Sequence, residues 1–182
     1  MLRGHPRPGE RVLVEAAAGG VGTLLVQLAK AAGASVVAAA GGPAKTDVAR
    51  RLGADETVDY REPGWSKEVA PVDVVFDGVG GGVAREAFGL VAEAGRMVSF
   101  GLASGEWASV PEDDAVQRGV ALVRAGASQE EMRGFTRDVL ADAARGKVRP
   151  VIGQRFPLRD AARAHAAIEA RATVGKTLLE VR

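Results

Sequence analysis

The sequence predicts an α/β protein built on a doubly wound, six-stranded parallel sheet, and three observations carry that prediction. Short Val-rich runs recur without polar alternation, as strands buried on both faces do. Helical periodicity and helix-start signals fall between those runs. The first run enters a glycine-rich turn that opens straight into a helix.

The elements follow in chain order. Arg11 to Glu15 is the first strand. In Gly20 to Ala32, the residues Val21, Leu24, Leu25, Leu28 and Ala32 recur at helical spacing and form the apolar stripe of an amphipathic helix. Ala34 to Ala39 is the second strand. Pro43 is suited to the first position of a helix running through Leu52, with Gly53 as its stop. Glu56 to Asp59, Val72 to Phe76, Arg96 to Phe100 and Gly119 to Val123 complete six strands. Their order, βαβαβ then βαβ then a last strand, calls for right-handed crossovers. Ser104 to Asp114, which holds Gly105, Trp107 and Pro111, is expected as a loop with the acidic run Glu112-Asp-Asp114 solvated in it. Beyond Gly126 the rhythm changes. Ser128 and Glu131 make a capping-box pattern for a helix through Arg145. An extended segment Lys147 to Phe156, a helix Arg159 to Arg171 and a closing strand Lys176 to Val181 follow.

Composition excludes several classes of function. The 182 residues carry 24 basic and 23 acidic side chains, so no bulk charge favours nucleic acid or an anionic membrane. Five Phe, two Trp and one Tyr are too few for a base-stacking surface. The absence of cysteine removes disulfides, thiolate catalysis and cysteine-ligated metal within this chain. No carboxylate or histidine spacing suggests metal ligands, so no metal is expected. The weakly polar stretch Ala31 to Ala44 is broken by Gly33, Gly41, Gly42 and Pro43 and cannot span a bilayer, and the first ten residues lack a signal peptide's apolar stretch. A cytoplasmic protein is expected.

The chemistry-bearing motif is Val12-Leu-Val-Glu-Ala-Ala-Ala-Gly-Gly-Val-Gly22. Set on the dinucleotide fingerprint, Ala17, Gly19 and Gly22 take its three glycine positions, where small residues permit the turn, the approach of a pyrophosphate and close helix packing. The diphosphate would meet unpaired N–H groups at the helix N-terminus; otherwise the motif is simply a tight strand-to-helix turn. About 20 residues on, an NAD site wants an acid for the ribose hydroxyls. Here the stretch reads Ala39-Ala-Gly-Gly-Pro-Ala-Lys45, with no acid and a cation suited to a 2′-phosphate. The plainer alternative makes Lys45 a solvated lysine in the first turn of a helix. Arg171-Ala-Thr-Val-Gly-Lys-Thr177 imitates half a triphosphate-binding loop, but a strand follows it where that loop needs a helix.

In order along the chain, Ala16-Ala-Ala-Gly-Gly-Val-Gly22, Leu52-Gly-Ala-Asp55 with Val58-Asp-Tyr-Arg61, Phe76-Asp-Gly-Val-Gly80, Met97-Val-Ser-Phe-Gly101 and Ala164-His-Ala-Ala-Ile-Glu-Ala-Arg-Ala-Thr-Val-Gly-Lys-Thr177 resemble the motifs of one family. It is the quinone oxidoreductase branch of the zinc-independent medium-chain dehydrogenases, and the resemblance runs from Pro8 to the end. It implies a Rossmann sheet binding NADPH. Ala17, Gly19, Gly20, Val21 and Gly22 would hold the pyrophosphate; Gly41, Lys45, Tyr60 and Arg171 the adenosine and its 2′-phosphate; and Val79, Phe100, Gly101 and Leu102 the nicotinamide end. Read without the resemblance, Tyr60 is a strand-end aromatic, Phe100 a core residue, Asp77 a loop cap and Arg171 a helix-end cation. His165 is a packing or surface residue of its helix.

The family places a substrate-binding domain before its nucleotide fold, whereas here the first strand begins within about a dozen residues of Met1. The resemblance therefore implies a cofactor domain, residues 1–127, followed by a segment, residues 128–182, that would complete a second, incomplete domain. The implied activity is reduction of quinones or activated enones by hydride transfer, in a homodimer joined through edge strand 119–123. No catalytic side chain is identified. The alternative is a non-catalytic NADPH-binding or redox-sensing module.

Overall fold

The structure is a computed structural model and describes residues 4–124 and 126–181. Six strands, β1 (Arg11–Val14), β2 (Ser35–Ala40), β3 (Glu56–Asp59), β4 (Val72–Asp77), β5 (Val91–Ser99) and β6 (Ala121–Arg124), form one sheet in the order β3-β2-β1-β4-β5-β6. Every pairing in it is parallel. The expected doubly wound sheet is thus present, with its direction of winding reversing between β1 and β4. That reversal opens a crevice beyond the C-terminal ends of the two strands, where such sheets bind ligands.

Side-chain alternation along the strands builds two cores. Leu13, Val37, Val75 and Met97 face one way, onto Trp65, Phe88 and α3 (Gly81–Gly89). Val12, Val14, Val36 and Val74 face the other, onto Val26 and Ala29 of α1 (Gly22–Ala31) and Ala49 of α2 (Pro43–Arg51). Both faces are covered, which is why the strands read as unbroken apolar runs.

Four expectations need correction. The apolar stripe of α1 faces the core only in part: Leu25 packs against it from a half-buried position, Val21 is 47% and Leu28 36% exposed, and Gly22, Thr23, Val26 and Ala29 are buried. The helix lies close enough to the sheet that its smaller side chains make the contact. Leu25 and Leu28 line a cavity of about 850 Å³ that Phe76, Val98, Val123, Met132 and Phe135 also border. β5 starts five residues before Arg96, because Val91 already pairs with Val72 ahead of a register shift. β6 starts two residues after Gly119, which closes the helix before it at a positive φ of 62°. Lastly, Glu112–Gln117 is a helix, α4, and the acidic run thought to lie in a loop forms its first turn, where negative charge complements the helix dipole.

The rest of the chain follows the expected order. α5 (Gln129–Ala144) has the full capping box: Glu131 N–H donates to Ser128 Oγ at 3.2 Å, and Ser128 N–H to Glu131 Oε2 at 2.8 Å. None of its residues is buried. β7 (Ile152–Pro157) begins later than the expected Lys147, and α6 (Ala161–Glu169) ends before Arg171. β8 (Lys176–Glu180) pairs in parallel with β7 as a separate two-stranded sheet. This tail is tied to the first unit by hydrogen bonds. Gly175 N–H donates to Ala18 O at 2.7 Å, and the Gln27 amide exchanges two 2.9 Å bonds with the backbone of Arg149. No helix among the described residues is long and apolar enough to cross a membrane.

Candidate functional site

The residues singled out in the sequence gather along the C-terminal edge of the main sheet. At its centre, the chain leaves β1 through Ala16, whose φ is +46°, and reaches α1 at Gly22. A Cβ on Gly22 would lie 2.2 Å from the carbonyl oxygen of Ala16 and 2.8 Å from the Cα of Ala17. Glycine is therefore obligatory there for the helix to abut the strand. Ala17 is buried in the core, while Gly19 and Gly20 are half-buried and Val21 exposed. Backbone bonds run from Gly19 N–H to Ala16 O and from Thr23 N–H to Gly19 O. Between them, among the described residues, the N–H groups of Val21 and Gly22 find no backbone acceptor, and Gly19 bridges in parallel to Gly175. Such a row at a helix N-terminus receives anions.

A second cluster forms where β2 ends. Gly42 has a φ of +105°, and a Cβ on it would lie 2.5 Å from Arg61 Nη2. A Cβ on Gly41 would sit 3.3 Å from the Tyr60 ring. Lys45, in the first turn of α2, donates to the carbonyl of Arg171 at 2.7 Å. Burial, then the charges of Arg171 and Arg61, pull the Lys45 ammonium below its usual range. Burial pushes the Tyr60 phenol up. Arg171 sits at a positive φ of 53° and donates to the carbonyl of Ala103. The pair of cations expected from the sequence is thus a trio. Arg61 also holds Asp59, at 2.8 Å, and lowers that carboxyl to about 2. β2 itself ends in Ala40 with no acid, and Asp47 is exposed and paired with Arg50.

The third group lies on the other side of the crevice. Phe100 N–H donates to Asp77 O, Ala103 N–H to Gly78 O and Ser104 N–H to Val79 O, at 2.9, 3.2 and 2.7 Å. These bonds fasten the segment after β5 onto the turn after β4. Val79 is buried beneath it, Phe100 packs on the core, Gly101 is half-buried and Leu102 is exposed. Asp77 is the loop cap of the plainer reading, with Oδ1 accepting from Val79 and Gly80 N–H at 3.1 and 2.8 Å. His165 is exposed on α6.

Three residues near these groups escaped the sequence reading. Arg61 was quoted within a motif but given no role. Lys176 Cδ would meet a Cβ on Gly20 at 2.8 Å, so its side chain lies over the glycine turn. Glu15, within the motif but given no role, is fully buried at the mouth of the crevice. A charged residue at the end of a Val-rich strand was the available signal for Glu15. Nothing local could place Lys176 there, because its position depends on the return of the tail.

A doubly wound sheet in this strand order, with a glycine turn at the winding reversal and free N–H groups beyond it, defines the dinucleotide-binding α/β class. Known proteins narrow that class. The family model for zinc-binding dehydrogenases matches residues 52–179. The quinone oxidoreductase of Pseudomonas aeruginosa is 36% identical over 95% of this chain, and quinone oxidoreductase 1 of Escherichia coli 34% over 95%. The chain covers 57% of the length of each. The crystal structure of the Escherichia coli quinone oxidoreductase with NADPH superposes with a TM-score of 0.85 at 32% identity, over 96% of this chain and 58% of that one. A structure described as an NAD-dependent alcohol dehydrogenase gives 0.86 at 35%, over 96% and 52%. The chain belongs to the zinc-binding dehydrogenase family, in the quinone oxidoreductase branch of the medium-chain dehydrogenases.

Proposed function

We propose that the chain binds NADPH along the C-terminal edge of its sheet and forms the cofactor-binding part of a reductase for quinones or other electron-poor alkenes. The observation that carries this reading is the convergence of Lys45, Arg61 and Arg171 beside Gly41 and Gly42, at the end of a strand that offers no ribose-binding acid. A 2′-phosphate needs cations there, and charge-assisted bonds to it are stronger than those to a neutral hydroxyl. The rest of the edge fits the same cofactor. Gly19, Gly20, Val21 and Gly22 would hold the diphosphate under the Lys176 ammonium, and Gly41 and Tyr60 would flank the adenosine. Val79, Phe100, Gly101 and Leu102 would bound the nicotinamide end. When bound, the cofactor supplies the hydride. The chain's own part is to orient it and to close off water through the bonds that pin residues 100–104 onto residues 77–79.

In this reading residues 1–127 are the NADP-binding unit, and residues 128–182 complete a second domain. The bare surface of α5 supports that division. It also favours a second reading, a module that binds NADPH without turning over a substrate. Titrating NADPH and NADH by nicotinamide fluorescence tests the shared core of both. Lys45→Glu is expected to weaken NADPH by about a hundredfold and NADH by less than about threefold, in line with two charge-assisted bonds lost. Equal losses for both cofactors defeat the 2′-phosphate assignment. Adding a simple quinone separates the readings, because turnover by this chain alone excludes the non-catalytic one.

A further inference from the structure

Glu15 and Asp77 close the strands on either side of the winding reversal, and both side chains are wholly inaccessible to solvent. They converge on one donor: Val79 N–H lies 3.2 Å from Glu15 Oε2 and 3.1 Å from Asp77 Oδ1. The remaining oxygens, Glu15 Oε1 and Asp77 Oδ2, are buried without a hydrogen-bond partner. Among the described residues no cation bonds to either carboxyl. Tyr60, on the adenosine side, lies within electrostatic reach of Glu15 and also of Arg171, Asp59 and Arg61. Lys45 donates to Arg171 O, Arg171 to Ala103 O and Arg61 to Asp59, so none of them bonds to either carboxyl.

Two carboxylates meeting in a dry site cannot both stay ionised. A carboxyl oxygen is also no donor unless it carries a proton. One proton held by the pair answers both problems, removing one of the two charges and giving one carboxyl a donor toward the other. We propose that Glu15 and Asp77 share a single proton, and that this proton fixes the Gly78–Gly80 turn on which the nicotinamide end of the cofactor would lie. The proposal rests on the NADPH-binding reading only in its last clause. Glu15 is a positioning residue here: it touches the turn through Val79 N–H and acts on the cofactor through the turn. The direction of its titration agrees, since burial first and the Asp77 charge second push its carboxyl up to about 9.

Deprotonation would leave two charges on one N–H and loosen the turn. The test begins with the cofactor-free chain, following the Val79 and Gly80 amide resonances and the side-chain carboxyl carbons by NMR across pH. Both amides are expected to move together with the Glu15 carboxyl, at a midpoint several units above the ordinary carboxylate value, and Glu15→Gln is expected to abolish the movement. Gln keeps the shape and a donor toward Asp77 but cannot titrate. In the second arm NADPH affinity is compared between neutral and alkaline pH, with Lys45 and Tyr60 present in both proteins as common background. Wild type is expected to lose about tenfold more affinity than Glu15→Gln for each pH unit above the midpoint. A Glu15 carboxyl titrating in the ordinary range, or amide movement that survives Glu15→Gln, overturns the shared proton. Equal alkaline losses in the two proteins overturn its hold on the cofactor. Should the amides titrate as expected while NADPH fails to bind at neutral pH, the shared proton is supported and the cofactor reading alone falls.

Discussion

At Glu15 the folded chain keeps a proton that the unfolded chain gives up. Its carboxyl titrates near 4.5 when unperturbed and near 9 in place, so between those values the native state binds more protons than the unfolded one. Stability should therefore fall as pH rises from about 4.5 through about 9. Urea midpoints measured across that window check the sign: a declining midpoint in wild type and a flatter one in Glu15→Gln are expected, and identical slopes count against a buried proton. The contrast with Lys45 shows what a sequence can convey at this scale. Lys45 could be read because its distance from the glycine motif is fixed by one strand and one turn. Glu15 acquires its meaning only when β4 pairs beside β1 and brings Asp77 to it, and no local pattern announces that. Arg61 lies between: it stands next to Tyr60 in its motif, yet its place depends on β3 lying beside β2.

Whole elements were legible where their signals were local. The helix α5 could be placed to within a residue at its start because Ser128 and Glu131 cap each other across one turn. The long β5 could not, since Ala92 to Gly95 has no strand-like pattern and falls in the register shift between the pairs Val72–Val91 and Val74–Arg96. The stripe on α1 misled for a related reason: periodicity weights large apolar residues, whereas a helix packed tightly on a sheet touches through small ones. α5 also offers a test of what a cap contributes without burial. Ser128→Ala should cost about 1 kcal/mol of local helix stability. Because α5 buries no residue, its amides should exchange faster while the thermal midpoint of the sheet barely moves. A fall of the whole melting transition would show that α5 is coupled to the core.

The molecule as a whole leaves the main sheet open at β6, whose Leu122 is 42% exposed. An unpaired edge invites a partner strand, and the β6 edge of a second copy would extend the sheet through a twofold axis. Light scattering is expected to give twice the chain mass, and replacing Leu122 with Lys to give the monomer; a monomeric wild type refutes the assembly. The fold class and strand order were readable because parallel strands with short crossovers allow few arrangements. How the tail returns was not, since Gly175 bonding to Ala18 and Arg171 to Ala103 join parts far apart in the chain. That return bears on the order in which the parts of the site come off the ribosome. The glycine turn is synthesised well before Arg171 and Lys176. A nascent chain halted before residue 171 would carry that turn without Lys176 lying over Gly20 and without the Arg171 carbonyl that receives Lys45.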